Sequence, residues 1–500
     1  MPLNILNRLI FNAMKKTLIK IVALCLTLAA LFSLTGCKRG VGGYTYDSAA
    51  DFREDEGEIF ADVPKGEFGG YTFRILNGRN GLPSTAVDAE TLTGSVLNDK
   101  VFMRNYNVET RLNITIEEIR DTAENVYETA CRSVMADEDV YSAVWNSASY
   151  MGSMAANGYL VTSDYLVEMN MEKPWWNKKA TESLSVDEKN FLIFGDLQLS
   201  YYDAHAMVGV NMEMIEKIDG MQNPYKLVDD GLWTISKMLE MAQAATADID
   251  GNTIMTSEDR YGAAIDNNAI LPFIFGCDTN MSAKDSYDLP IITCIDNEKF
   301  FDVYTLITQS MYDRSTSMYV SEDNEADNMT DLDMFKNERA LFVVTTIGEL
   351  NALRYMDCEF GVLPMPKYTA DQKDYVSYIS GGDIWALGIP TSSRNFLRTG
   401  IILENLGAET WREGGVRDTY VDSTLEFKYV NDEKSRENLH LILDSGRFDL
   451  LEVYGWGKLS EIVVEEASSA SEKLMSTLAQ NERSVRGDLA DFIEKIAEFE

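Results

Sequence analysis

The chain has 500 residues, with 81 acidic against 44 basic side chains and a formal net charge of −37. Its 45% apolar and 10% aromatic content can bury cores, which excludes a disordered chain, and the length suits two large lobes or a few domains of about 150 residues. The acidity argues against nucleic acid and anionic membrane surfaces, which need clustered Lys and Arg, and two histidines, His205 and His440, nearly exclude a multi-histidine metal site and most histidine catalysis.

The front end reads as an address. Lys15, Lys16 and Lys20 precede an apolar stretch at 21–34, the length of a signal-peptide hydrophobic region and short for a membrane span. The stretch ends in Leu34, Thr35, Gly36 and Cys37, which resembles the lipobox of bacterial lipoproteins. On that resemblance residues 1–36 are a lipoprotein signal peptide, Cys37 is acylated, and 37–68, rich in Gly, Asp and Glu, is a flexible tether. The competing reading is an ordinary signal peptide with a chance cysteine. Beyond Cys37 the thiols are Cys131, Cys277, Cys294 and Cys358, with no Cys-x-x-Cys pair. Either Cys277 and Cys294 form a disulfide, or all four are small buried hydrophobes.

The body alternates strand and helix signals. A β-rich run at 71–76 leads to a Gly/Asn turn, a polar helical stretch at about 95–110, and the alternating strand 112–117. A helix at about 123–136 and a strand at 140–145 follow. Strand, helix, strand, helix, strand is the grammar of a mostly parallel sheet covered by helices. Residues 232–245 carry Leu232, Ile235, Met238, Leu239 and Ala242 at helical spacing, with Thr234 as N-cap. The acidic stretch 321–333 reads as a solvated loop. Short apolar runs at 340–346, 360–363 and 384–389 read as buried strands, and Val485, Leu489, Phe492, Ile493 and Ile496 form the stripe of a C-terminal helix.

A family resemblance runs over residues 69–500. Its carriers are 69–76 (Gly-Gly-Tyr-Thr-Phe-Arg-Ile-Leu), 141–145 with the Ser/Tyr-rich turn behind it, 173–177 (Lys-Pro-Trp-Trp-Asn), 231–240, 335–342 and 360–367. In this order, behind a lipobox, they resemble the extracellular solute-binding proteins of ABC importers, in the sugar-binding, maltose-binding-type group. The resemblance implies an α/β, two-lobe periplasmic-binding-protein-like fold of type II, with hinge-connected lobes and mixed, mostly parallel sheets. By the same analogy lobe one is 69–198 plus 376–420, and lobe two is 199–375 plus 421–500. It implies a monomer that captures an oligosaccharide or other small solute by cleft closure and delivers it to an ABC permease. It would sit on the extracytoplasmic face of the cell membrane, held by its lipid alone, with no nucleic-acid partner and no required cofactor.

Sugars present apolar faces to aromatic rings and hydroxyl rims to Asp, Asn, Arg and Ser. In such folds the site lies at strand ends and at the lobe junction. That logic selects Asn77 and Arg79 after the first strand, and Trp145, Asn146, Ser147 and Tyr150 after the third; family position also makes Trp145 a stacking platform. Tyr202 and Asp203 lie near the first crossover, Thr346 and Glu349 after a lobe-two strand, and Asp383 and Trp385 near the return crossing. Trp456 precedes a late helix that faces the cleft in the family. For the tryptophans and Tyr150 the other reading is core, and for Arg79 a surface ion pair.

Residues 248–259 resemble an EF-hand-type or dockerin-type calcium loop, with Asp248, Asp250, Asn252 and Asp259 at loop positions 1, 3, 5 and 12. Thr253 stands where such loops carry glycine, and Asp259 where a longer Glu is usual. The competing reading is an acidic turn that ends a helix. Two further function classes stay open: a surface glycan-binding adhesin without transport, and a lipid-anchored glycoside hydrolase. The enzyme class lacks a signature here, since no nucleophile elbow, P-loop or zinc spacing is present.

Overall fold

The computed structural model describes residues 63–78, 84, 86–312, 318–320, 329–430, 432–469 and 471–498. The signal peptide, Cys37, Arg79 and residues 321–328 of the acidic stretch lie outside the described residues. In chain order the strands are β1 (Tyr71–Asn77), β2 (Ile114–Arg120), β3 (Ala143–Ser147), β4 (Ala206–Asn211), β5 (Tyr261–Ile265), β6 (Ser282–Lys284), β7 (Pro290–Ile292), β8 (Met318–Val320), β9 (Ala340–Thr346), β10 (Phe360–Leu363), β11 (Ser377–Tyr378), β12 (Trp385–Gly388) and β13 (Gly446–Arg447).

Two sheets organise them. The first has order β12-β3-β1-β2. Its β1 is parallel to β2 and β3, and β12 is antiparallel to β3. The helices Val96–Leu112 and Ala123–Met135 make the crossovers between its parallel strands. The second has order β10-β4-β9-β5-β8; β4 is antiparallel to both neighbours, whereas β5 is parallel to β9 and β8. All of β4 is buried, as a strand covered on both faces should be. Burial along β9 holds from Ala340 to Val344 and lapses at Thr345 and Thr346, where the strand emerges at its C-terminal end.

Local chemistry sets the boundaries. The Thr122 side chain accepts from Asn125 N at one helix start, and Thr234 accepts from Lys237 N at another. Leu112 belongs to a helix, and Asn113 ends it in the left-handed region at φ 49, so the second strand starts at Ile114 rather than at 112. The third strand begins at Ala143, since Val140 is exposed. Leu232 is likewise exposed ahead of the Thr234 cap and takes no part in the helix Ile235–Ala245.

Two further expectations are corrected. Packing begins inside the expected tether: Val63 and Phe68 are buried, and the Pro64 carbonyl accepts from Asn405 Nδ2 at 2.9 Å. Cys277 and Cys294 form no disulfide; both thiols are free and buried, and burial pushes each up to about 12. Residues 449–454 make contacts in two directions. Asp449 accepts from Met281 N and Ser282 N at 3.0 Å, while the helix Leu450–Tyr454 packs on the helix Ala148–Ala156 and Tyr454 donates to the Leu184 carbonyl at 2.8 Å.

The segments joining the two sheets are tied together. β11 pairs in parallel with β13, Ser377 Oγ donates to the Ala206 carbonyl at 2.9 Å, and His205 forms an isolated antiparallel bridge with Ile379. The helix Phe396–Trp411 returns to the first sheet's side and packs on the helix Val96–Leu112, with Arg111 paired to Glu409. Among the described residues no helix is long and apolar enough to cross a membrane.

Candidate functional site

A cavity of 730 Å³ opens where β4 begins, β5 and β9 end, and the connecting segments meet them. That volume lies within the ordinary range for a small-molecule site. Its wall includes Thr346 at the end of β9 and Glu349 after it, Asp266 after β5, and Asp203 just before β4. Asp331 comes from the first turn of the helix Asp331–Lys336, and Tyr378, Ser380 and Asp383 come from the connection into β12. Glu452, on the helix Leu450–Tyr454, closes the remaining side.

Two of these carboxylates are held in place. Asp203 is buried and accepts from Ser84 Oγ on one oxygen and from Tyr420 Oη on the other. Burial pushes it up to about 6 against the opposing pull of those two hydrogen bonds. Glu452 Oε1 accepts from Tyr378 Oη at 2.6 Å and from Gly381 N at 3.1 Å. Its Oε2 is sealed from solvent and has no hydrogen-bond partner. Burial pushes Glu452 up to about 7. Asp383 and Glu349 are exposed on the cavity wall.

The sequence-selected residues divide sharply. Asp203, Thr346, Glu349 and Asp383 meet in this cavity. Asn77 is buried in the first sheet and donates to Glu118 Oε1 at 2.6 Å. Trp145 is 1% exposed in β3 and is core, as are Asn146, which donates to the Ala123 carbonyl, and Ser147 beside it. The half-buried Tyr150 packs its ring 5.2 Å from that of Tyr127. Tyr202 donates to Asp196 Oδ1, and Trp385 is buried, donating from Nε1 to the Gly78 carbonyl at 2.9 Å. Trp456 is buried, stacked on Tyr454 with centroids 5.5 Å apart. The expected aromatic platforms are therefore packing residues, and the cavity wall has a single aromatic, Tyr378, among the described residues.

Sequence reasoning missed Asp266, Asp331, Tyr378, Ser380 and Glu452. Asp266 obeys the same strand-end rule that selected Thr346. Glu452 carries no such signal, because one glutamate on a short helix looks like any other of the 81 acidic residues.

At the expected calcium loop, Asp248, Asp250 and Asp259 bring carboxylate oxygens within 4.8 Å of one another. Each already accepts backbone N–H groups: Asp248 from Gly251 and Thr253, Asp250 from Asn252, and Asp259 from Ile249 and Thr256. The Asn252 side chain accepts from Ile254 N in the same manner. Thr253, where a glycine was missed, takes φ 69. These turns shape the loop through its own amides.

No protein-family model matches the chain, and no curated protein matches it in sequence. Solved structures do resemble it. A sugar transporter from Rhizobium etli in an open conformation superposes with TM-score 0.55 at 12% identity, over 86% of this chain and 100% of that one. A cyclo/maltodextrin-binding protein complexed with maltotetraose gives 0.54 at 12% identity, over 87% and 98%. An ABC substrate-binding protein from Listeria monocytogenes in complex with cycloalternan gives 0.52 at 13% identity, over 87% and 99%. At such identities the likeness carries the fold: a mixed α/β, two-lobe periplasmic-binding-protein architecture.

Proposed function

We propose that the protein is a lipid-anchored extracellular solute-binding protein that captures a small oligosaccharide by cleft closure and delivers it to an ABC permease. The observation that carries the reading is the cavity walled by strand ends of the second sheet and by the segments that connect it to the first. A solute held there touches the second sheet's strand ends and the connecting segments at once, so binding favours whichever arrangement encloses it. The structures that share the fold include proteins solved with maltotetraose and with cycloalternan, which supports a glycan as the solute class. The mechanism is binding without bond chemistry: Thr346, Ser380 and the wall carboxylates offer donors and acceptors to hydroxyls, and no group is assigned to a covalent step.

Thermal melts of the purified protein against neutral and charged oligosaccharides, peptides and polyols test this reading. A ligand at about 100 times its Kd stabilises by roughly 2.7 kcal/mol, which raises Tm by a few degrees. A shift with one saccharide family supports the reading. Silence across all saccharides with a cooperative control melt removes it, and affinity that keeps climbing with polymer length favours an adhesin. Mass spectrometry of the mature N terminus tests the anchor; a diacylglyceryl group on Cys37 is expected.

A further inference from the structure

The β6–β7 hairpin ends in a turn at 285–289 that reaches the segment 182–189. The hairpin belongs to the second sheet's side. It lies between the helices Ile270–Gly276 and Glu298–Tyr312, which pack on each other, and the latter packs on β8. The segment 182–189 belongs to the first sheet's side, since Ile193 just beyond it bridges Leu387 of β12.

The contact is a dense polar tie. Asp288 Oδ2 accepts from Ser185 Oγ at 2.7 Å and from Glu188 N at 2.9 Å, and the Asp288 carbonyl accepts from Asp187 N at 3.1 Å. Lys284 Nζ donates to the Glu182 carbonyl and to Ser185 Oγ, both at 2.6 Å, and pairs with Asp288 Oδ1 at 2.9 Å. The two charged side chains are only 19% and 23% exposed, so water screens them less than an ordinary surface pair. Asp187, Glu188 and Asp288 also take left-handed backbone, at φ 54, 59 and 60. Non-glycine residues hold that conformation where their surroundings impose it, and such residues gather at clamps and switches.

The position of the tie gives it a role. The helix Leu450–Tyr454 stands between it and the cavity: Glu452 lines the cavity, and Tyr454 donates to the Leu184 carbonyl. Side chains two residues apart on a helix point about 200° apart, so the cavity and the tied segment flank opposite faces of it. With the tie made, the cavity is open in front, where Glu349 and Asp383 are exposed. Rotation about the connecting segments that narrows the cavity widens the opposite side. Hydrogen bonds of this length do not survive a displacement of about 1 Å.

We infer that this tie is a latch that holds the cleft open and releases as it closes, so that Ser185, Lys284 and Asp288 set solute affinity without touching the solute. The inference rests on the cleft-closure reading. Apparent affinity falls with the fraction of molecules able to close, and the latch lowers that fraction.

Small-angle scattering of the full, ligand-free chain tests it. Asp288→Asn and Lys284→Met each break the pair, and they change the net charge in opposite directions. Both should give a smaller radius of gyration than the parent, with the open-to-closed ratio reduced at least about tenfold. Lys217→Met breaks an exposed pair with Glu213 within the helix Met212–Lys217 and should keep the parent's radius. Cooperative melts establish that each variant is folded; if one is not, Ser185→Ala, which removes a single hydroxyl, is read in its place. Radii that stay with the parent, or that move in opposite directions with net charge, overturn the latch. The parent with maltotetraose tests closure separately. Compaction by that sugar with unmoved variants overturns the latch and leaves closure standing. Compact variants with a parent that ignores the sugar support the latch and remove maltotetraose as the solute. A radius unchanged in every case overturns both.

Discussion

Glu452 shows how one side chain in the cavity links fold stability to pH. Its unfolded value is near 4.5 and burial pushes the folded one up to about 7. The folded state therefore holds the proton more tightly than the unfolded chain does. The stability from that proton is fully present below about 4.5 and is lost as pH rises through about 7. Gln at this position cannot ionise. Glu452→Gln should thus match the parent near the acid end of that window and exceed it above the neutral end, by on the order of 1–3 kcal/mol. Ligand-free thermal melts across the window check this; a difference in Tm that does not grow with pH would show that Glu452 is already ionised without cost. At this scale the sequence was partly legible. Asp203, Thr346, Glu349 and Asp383 line the cavity because strand ends and crossovers surface there. Trp145, Trp385 and Trp456 were misassigned because a large ring in an apolar run serves packing as readily as stacking, and hydropathy is the same in both. Glu452 was invisible because its distinction is a sealed oxygen, which only the fold creates.

The elements were far more legible than the site, because periodicity reports burial directly. The run 340–346 is β9 to the residue, 360–363 is β10, and Thr234 caps the helix Ile235–Ala245 as its spacing implied. What periodicity cannot carry is close approach between elements. Gly262 in β5 is such a case: a Cβ there would lie 2.2 Å from the Ala242 carbonyl oxygen of that helix. Backbone cannot yield as a flexible side chain can, so Gly262→Ala must push the helix off the sheet. The expected cost is about 1–3 kcal/mol, typical of overpacking. Urea unfolding should show a lower midpoint with unchanged slope, and solute affinity should stay near that of the parent, since Gly262 lies outside the cavity wall. A midpoint equal to the parent's would mean that the helix and β5 have room the structure does not show. The Cys277 and Cys294 pair failed for the same reason as Gly262 escaped notice: spacing along the chain does not say whether two buried thiols face each other.

At the scale of the whole molecule, the net charge of −37 read from composition and the carboxylate-lined cleft belong to one electrostatic argument. Composition gave only the average, and it pointed away from anionic solutes; the fold concentrates the charge where two lobes meet. Closing the cleft removes water from around the wall carboxylates, so their mutual repulsion strengthens and opposes closure. Unit charges at 4 Å in water interact by only about 1 kcal/mol, and more where water is excluded. Several such terms together are enough to bias an equilibrium whose two arrangements differ by a few kcal/mol. Salt should therefore act as a weak substitute for the solute. Small-angle scattering on the ligand-free protein should show a smaller radius of gyration at about 1 M salt, where the Debye length is about 3 Å, than at about 0.01 M, where it is about 30 Å. The double variant Glu349→Gln with Asp383→Asn removes two exposed wall charges and should reach the compact value at lower salt. Both effects should vanish in the presence of a saturating solute, which holds the cleft closed by itself. A radius that ignores salt in parent and variant alike would mean that packing at the tied connecting strands, and not charge, holds the lobes where they are.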